Sequence, residues 1–363
     1  MEYNKTELKK YNYLIGQKIK AIRDLKGFKQ DYVAEKLGIS SATVSMALND
    51  RPGVNAQTKQ RVMELVKKLN YTGSTTKKIP QNNGVINFLV YKRFGKIITN
   101  TQFFSDLIEA VEKATRYHNY TIALTYCNNQ EELNSVINSI LSAQPEGIII
   151  LGTEMEENDL NVFENMDIPI IVLDNDLLGC EVDTVTINNF DGIFRAIKYL
   201  KEQGHTDIGY LKSSFLIKNF EQRSMAFKYS LDKLNLNYDE NKVFLIEPTI
   251  EGACKDIHSI IKEKIVFPKA LIADNDLIAI GALKAFNQVG IRVPDDISII
   301  GFDNIPMGGI FEPSLTSINV SCKDLGSLAV EQLLWRIKHK NEPFHKTSIA
   351  TSLVIRRSVK SQI

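Results

Sequence analysis

The sequence predicts an α/β protein in two parts: a small all-α headpiece and a large region of two doubly wound parallel-sheet lobes. Three observations carry that expectation. Charge is divided along the chain: residues 1–80 hold 16 Lys and Arg against 7 Asp and Glu, whereas residues 81–363 hold 28 against 36. From Val85 onward, nine short apolar, β-branched runs alternate with amphipathic stretches, the pattern of βαβ units. Between the two parts lies Thr72–Gly84, TGSTTKKIPQNNG, polar and rich in Gly, Ser, Thr and Asn, which reads as a linker.

Composition narrows the class. Apolar residues make up 44% of the 363 and charged residues 24%. That is ordinary globular usage, which excludes a disordered chain, a collagen or a small disulfide scaffold. No apolar run reaches the ~18 residues of a membrane helix. The start, MEYNKTELKKYNYLIGQ, has no continuous apolar core and no small-residue cleavage site, so no secretory signal is expected. Cys127, Cys180, Cys254 and Cys322 stand far apart without a CxxC, which suits a cytoplasmic chain with reduced thiols. Enzyme motifs such as GxGxxG, HExxH and GxSxG are absent and the five histidines are scattered. No catalytic residue, metal site or cofactor is expected. His205 follows Gly204 at a helix end, where a cation suits the dipole, and reads as structural.

In the headpiece, residues 14–26 put Ile15, Ile19, Ile22 and Leu25 on one stripe, an amphipathic helix that Gly27 stops. Gln30–Leu37 is a second short helix, Gly38-Ile39-Ser40 a break, and Ser41–Leu48 a third helix with Val44 and Leu48 facing inward. Ala34 is small where two helices cross, Gly38 suits a turn at positive φ, and Ile39 and Val44 fill the space between. This is a helix-turn-helix, whose second helix enters a DNA major groove. Ser40 can cap that helix, directing its N-terminus at a phosphate or base edge. A Gly turn between helices also occurs in proteins that never meet DNA, and a basic face can be mere solvated surface. Together they favour a polyanion partner. Asn55 caps a further helix, residues 56–69, with Val62, Leu65, Val66 and Leu69 as its apolar stripe.

Gly38–Tyr71, GISSATVSMALNDRPGVNAQTKQRVMELVKKLNY, resembles the DNA-binding headpiece of the lactose/galactose repressor (LacI/GalR) family. The ATVS core, Asn49 after it, the Val-polar-x-x-Thr segment and the closing Leu-x-Tyr fall in register. The preceding IGQKIKAIRDLKGFKQDYVAEKLGIS resembles instead the phage-repressor (Cro/C1-type) helix-turn-helix, so the headpiece reads as a hybrid of two DNA-binding types. The resemblance implies that Ser41, Ala42 and Met46 read bases, that Thr43, Ser45 and Asn49 touch phosphate, and that Gln30 meets the DNA backbone. Met46 stands where the family often has Arg. Arg reads guanine bidentately and Met offers only apolar contact, which leaves the operator sequence open. The family's linker holds a helix that folds on DNA and inserts a Leu into the minor groove. Pro80 stands about where that Leu would be and Gly73 replaces the usual Pro, so an altered or absent hinge helix is expected. Lys77 and Lys78 remain able to contact phosphates.

In the large region, strands are expected at 85–90, 121–126, 147–151, 169–174, 184–188, 207–211, 243–246, 270–274 and 297–303. Helices are expected at 103–118, 131–143, 190–203, 221–235, 251–263, 276–289 and, near the end, 323–339. Nine strands exceed one small sheet. Two lobes should therefore hold a ligand between them, at the carboxyl ends of the strands. The family resemblance continues through QPEGIIILG (144–152), IPIIVLDND (168–176), AIKYLKEQGHTDIGYL (196–211), residues 267–304, EPSLTSINV (312–320) and SLVIRRS (352–358). GHTDIGYL and VPDDISIIGFDN are its most specific parts. It implies a periplasmic-binding-protein-like effector domain. The expected division is residues 1–71 for DNA binding, 72–84 as hinge and 85–363 for effector binding and dimerisation. Lobe one takes about 85–187 and 319–350, and lobe two about 188–318 and 351–363.

Asp174, Asn275 and Asp303 sit at or just beyond strand ends and Arg223 in the first turn of a helix, places that face the cleft of a doubly wound fold. Asp accepts hydrogen bonds from vicinal hydroxyls, Arg and Asn donate, and Phe103 and Phe104 can stack on an apolar sugar face. Each matches an effector position of the resembled family, with Asn219 as a further member. Strand-end Asp residues also serve as helix caps, Arg223 could only pair with a carboxylate, and the two Phe residues could be core. Cys322 lies where some relatives place an aromatic, which argues for a different effector. A bidentate guanidinium suits a sugar acid or sugar phosphate, and the family also uses this Arg for neutral sugars, so both stay open.

The expected function is a homodimeric, ligand-responsive transcriptional regulator. It would bind a near-palindromic DNA operator and change its affinity when a sugar, sugar acid or sugar phosphate fills the cleft. Rival readings are a sugar-binding receptor without DNA function and a sugar-acting enzyme on the same scaffold.

Overall fold

The computed structural model describes residues 30–48, 53–68, 83–95, 97–98, 102–163 and 166–363. The expected first helix, Asn49, Lys77, Lys78 and Pro80 lie outside them. The chain divides between Asn82 and Asn83 into two compact units. The small unit contains α1 (Gln30–Leu37), α2 (Ser41–Leu48) and α3 (Ala56–Lys68). Val33, Ala34, Val44, Ala47 and Val62 are buried at their junction, with Leu37, Ile39, Val54 and Leu65 packed around them. Gly38 adopts φ +65°, the left-handed turn that lets the chain reverse between α1 and α2. Asn83 and Gly84, expected to end the linker, instead belong to the large unit. The Asn83 amide donates to the Asn119 carbonyl at 2.9 Å, and the Gly84 carbonyl accepts from Thr121 at 3.0 Å.

The large unit holds two six-stranded sheets. The first runs β11-β5-β4-β3-β1-β2 and is parallel throughout: β1 (Val85–Tyr91), β2 (Thr121–Cys127), β3 (Gly147–Leu151), β4 (Ile170–Leu173), β5 (Asp183–Ile187) and β11 (Lys346–Ile349). The second runs β12-β10-β9-β8-β6-β7: β6 (Ile208–Ser213), β7 (Val243–Ile246), β8 (Ala270–Ala273), β9 (Ser298–Asp303), β10 (Thr316–Asn319) and β12 (Ser352–Val354). Only β12 is antiparallel to its neighbour. The helices are α4 (Gln102–Tyr117), α5 (Leu133–Ser142), α6 (Asn189–Glu202), α7 (Lys218–Lys233), α8 (Ile250–Lys262), α9 (Asp276–Gln288), α10 (Pro306–Ile310) and α11 (Cys322–Lys338). The chain passes between lobes after β5, after β10 and between β11 and β12, so each lobe is built from separated pieces of sequence.

Central strands are apolar on both faces because helices cover both sides. Every residue of β3 and β8 is buried, whereas the edge strand β2 alternates. Phe103, Phe104, Leu107, Ala110 and Val111 form the buried stripe of α4. Gly326 lets α11 approach that stripe closely: a Cβ there would lie 2.8 Å from the Ala110 Cβ. β10, β11 and β12 were not expected, since TSIN, KTSI and SLV are too short and too polar to stand out as strands. His205 departs from its expected charge. It is buried, donates from Nε2 to the Lys360 carbonyl at 2.9 Å, and is held by that burial below its usual pKa, so it is structural and neutral.

Arg336 on α11 fixes lobe one. Its Nε and one Nη donate to the two Asp183 carboxylate oxygens at 2.6 and 3.0 Å. Its Nη groups also donate to the Glu342 and Pro343 carbonyls at 2.6 and 2.8 Å, tying the return segment into β11. Both side chains are buried, so loss of one partner leaves an uncompensated charge. Arg336→Ala should cost about 3–5 kcal/mol, read from urea unfolding of the full chain. A cost under ~1 kcal/mol would contradict this account.

Candidate functional site

The helix-turn-helix is closed by its caps. The Ser40 hydroxyl accepts from the Thr43 amide at 3.1 Å and contacts the Thr43 hydroxyl at 2.8 Å, and Asn55 Oδ1 accepts from the Thr58 amide at 2.7 Å. Ser40 thus starts α2 as expected. Ala42 is exposed in the first turn, while Ser41, Thr43, Ser45 and Met46 are half-buried. The Met46 sulfur lies against Gly53, 3.8 Å from where a Cβ would stand. Backbone alone is described at Gln30.

The second site lies where the two sheets of the large unit point their strand ends at each other. Phe103, Phe104, Asp174, Asn219, Arg223, Asn275 and Asp303, the seven residues expected there, all line one cavity of about 30 Å³. A cavity of that size holds a couple of waters, so a larger ligand enters only as lobes or side chains move. Each member has a local reason for its position. Asp174 follows β4 and Asp303 ends β9, at φ +69° and +99°. These backbone conformations are strained for a non-glycine residue and turn the carboxylates into the cleft. Asn275 caps α9, its Oδ1 accepting from the Ile278 amide at 3.0 Å. The cap reading, raised for the strand-end Asp residues, thus falls on Asn275. Phe103 and Phe104 open α4, ring edge to ring face at 5.2 Å.

Arg223 is the hub. Its guanidinium lies 3.7 Å from the centre of the Phe302 ring. Nε donates to Asn189 Oδ1 at 2.9 Å, one Nη donates to the Asp274 carbonyl, and the other meets Asp303 Oδ1 at 3.4 Å. Asn189 in turn donates to Asn219 Oδ1 and Gln222 Oε1, each at 2.8 Å. Asn219 then crosses the cleft to Asp174, donating to its carboxylate at 2.9 Å. Thr153 donates to the other Asp174 oxygen at 2.6 Å. Gln222 to Asp176 at 2.7 Å and Lys218 to Glu157 at 3.4 Å add two further links between lobes.

Sequence reasoning missed Thr153, Asn189, Gln222 and Phe220, which line the cavity or orient those that do. Thr153 follows the quoted QPEGIIILG, and its place just past a strand end was an available signal. Asn189 and Gln222 act only through neighbours distant in sequence. Glu154 was also missed. Its buried carboxylate accepts from the amides of Phe94, Gly95, Ile97 and Ile98 at 2.7–3.4 Å and so holds the loop that carries Ile97 to the cavity wall. Cys322 stands behind Phe103, 3.6 Å from its carbonyl, and burial pushes its thiol up to about 12.

Burial dominates the acid chemistry. It raises Asp174, and it lifts Asp303 to about 7 against the opposing pull of Arg223. Behind the cavity wall, burial lifts Asp274 to about 6 and Asp276 to about 8. Among the described residues no group of His, Cys, Asp and Glu could hold a metal ion. No helix among them is long and apolar enough to cross a membrane.

Comparison with known proteins agrees with this geometry. Residues 31–74 match the family described as bacterial regulatory proteins, lacI family, and residues 197–359 match the periplasmic binding protein-like domain. The HTH-type transcriptional repressor PurR of Histophilus somni is 30% identical over 335 residues, covering 91% of this chain and 98% of that one. Among solved structures, the lac repressor dimer bound to operator and an anti-inducer shares the fold at TM-score 0.66, with 21% identity over 92% of this chain and 100% of the other. A LacI-family regulator from Enterococcus faecium with bound ribose reaches TM-score 0.66 at 25% identity, covering 77% of this chain and 100% of that one. The chain belongs to the lacI family of bacterial regulatory proteins. The relatives it matches are transcriptional repressors and not enzymes.

One consequence is testable by pH. Asp303 holds its proton up to about 7 in the folded chain and releases it near the usual carboxylate value of 3.8 when unfolded. Its stabilising contribution is present in acid and is lost as pH rises through about 7. Asp303→Asn loses nothing on that path. Between pH 5 and pH 8 the unfolding free energy of the variant should therefore gain on the parent by on the order of 2 kcal/mol. Parallel urea titrations at the two pH values measure this, and an unchanged difference would mean that Asp303 is ionised throughout.

Proposed function

We propose that the chain is a cytoplasmic homodimeric repressor that binds a near-palindromic operator through Ser41, Ala42, Thr43, Ser45 and Met46. Ser40 caps their helix, and Gln30, Asn49, Lys77 and Lys78 add contacts to the DNA backbone. DNA affinity responds to a sugar or sugar derivative held by Phe103, Phe104, Asp174, Asn219, Arg223, Asn275 and Asp303. The observation that carries this reading is the convergence of those seven residues, scattered over 200 positions of sequence, on one cavity between two lobes. Hydroxyl groups would replace the Asn219–Asp174 contact across the cleft, so ligand and lobe geometry are linked by shared hydrogen bonds. The bound ribose of the Enterococcus faecium relative supports a carbohydrate.

Dimerisation falls to the large domain in this reading. Each sheet ends in an open edge strand carrying exposed apolar side chains, Leu124 and Tyr126 on β2 and Leu245 on β7. Such edges invite a second copy.

The test is a fluorescence-anisotropy titration of the full chain against DNA upstream of its own gene, with a random duplex as control and a sugar panel added. Specific binding should exceed control by at least ~10³-fold, and one panel member should shift it. Ala42→Glu sets a carboxylate on the exposed first turn of α2, facing phosphates. It should weaken operator binding by at least ~10-fold at unchanged helix content by circular dichroism. Equal, weak binding of every duplex would overturn the repressor reading.

A further inference from the structure

We infer that the inter-lobe cavity sorts hydroxyl-rich effectors by charge, favouring an ammonium-bearing sugar or polyol and turning away sugar acids and sugar phosphates. This rests on the reading of the cavity as the effector site.

The argument is a charge inventory. Two carboxylates, Asp174 and Asp303, line the cavity, and among the described residues the only cation lining it is Arg223. That cation is already engaged. Nε serves Asn189, one Nη serves a backbone carbonyl, and the other faces Asp303. Asp274 lies buried close behind and acts on Asp303 as a further negative charge. An anionic ligand would bring a further negative charge into a buried site whose described carboxylates outnumber its one described cation, and like charges at low dielectric repel strongly.

The acceptors, by contrast, have room. Thr153 and Asn219 each give the Asp174 carboxylate one hydrogen bond, and Asn219 also donates to the Asp174 backbone carbonyl. Among the described residues the Asp303 carboxylate has as its hydrogen-bond partner only the Arg223 group at 3.4 Å, beyond ordinary range for a charged pair. Burial pushes Asp303 toward its protonated form for want of a close cation. A ligand ammonium would supply that cation, with three donors for the carboxylate, and Phe103, Phe104 and Phe220 line the same cavity. The Asn275 side chain is buried and lines the same cavity. Its Oδ1 is spent on the α9 cap, and its Nδ2 makes no hydrogen bond among the described residues, so it is available to a ligand oxygen. Donors for Asp303 and one amide donor for a hydroxyl or ring oxygen describe an amino sugar better than a sugar acid.

The experiment is isothermal titration calorimetry of the full chain at pH 7.5. The probes are D-glucose, D-glucosamine, D-glucuronate and D-glucose 6-phosphate, with the matching galactose set. The expected order is amine at least ten times tighter than the neutral parent, and acid and phosphate at least ten times weaker than it. Asp303→Asn should collapse the amine-to-neutral ratio toward one, and Asp174→Asn should weaken amine and neutral forms together. A ratio is read within one variant, so a general loss of affinity does not imitate the result. An acid or phosphate binding as tightly as its parent, or an amine gaining nothing, overturns the charge inference and leaves the effector site standing. Failure of all eight probes, or binding that neither variant alters, overturns the effector reading itself.

Discussion

The buried guanidinium of Arg223 is the group on which the cleft depends. A charge taken out of water must be met by acceptors, and here its partners are drawn from three separate elements. Asn189 opens α6, the Asp274 carbonyl follows β8, Asp303 ends β9, and the Phe302 ring takes the guanidinium face. Because Asn189 is oriented by Arg223, its amide is free to orient Asn219 and Gln222, and those two reach across to Asp174 and Asp176. The Asn219–Asp174 and Gln222–Asp176 links between the lobes thus descend from one ion in lobe two. A ligand that takes over the Asp174 end of this chain of bonds perturbs all of it.

The same burial explains why the site is acidic yet only partly charged. One cation cannot balance Asp174, Asp274 and Asp303 together, so desolvation pushes their protons on. The cavity is polar at its carboxylates and amides and apolar at its phenylalanines, a combination that suits a ring with one hydroxylated and one apolar face. Strain at φ +99° in Asp303 is tolerated because β9 and the Arg223 network hold the residue from both sides.

Much of this was legible beforehand for physical reasons. Strands such as GIIIL and ALIA must be buried on both faces, so their runs are unbroken and easy to see. The helices between them carry a 3–4 spacing, and their observed bounds differ from the expected ones by three residues at most. Strand-end polar residues such as Asp174 and Asp303 stand out because that position in a doubly wound fold is where ligands bind. The short strands TSIN, KTSI and SLV did not stand out, because they complete sheets at or near their edges and take their character from neighbours. His205 is structural as expected, but its charge state did not stand out, for a similar reason. A helix end suggests a cation, but the tail around Lys360 covers the ring and excludes water.

The sequence by itself determined the two-part organisation, the helix-turn-helix with its Ser40 and Asn55 caps, the βαβ alternation and the residues that face the cleft. Those follow from local spacing, charge and the obligatory burial of apolar runs, all of which are written along the chain. Tertiary structure alone decided which partners those residues use. Asn189 for Arg223, Asn219 for Asp174, Gln222 for Asp176 and Asp183 for Arg336 are separated by 34, 45, 46 and 153 positions. Contacts of that range leave no period in a sequence. They exist because a buried polar group must find a partner wherever the fold brings one within about 3 Å.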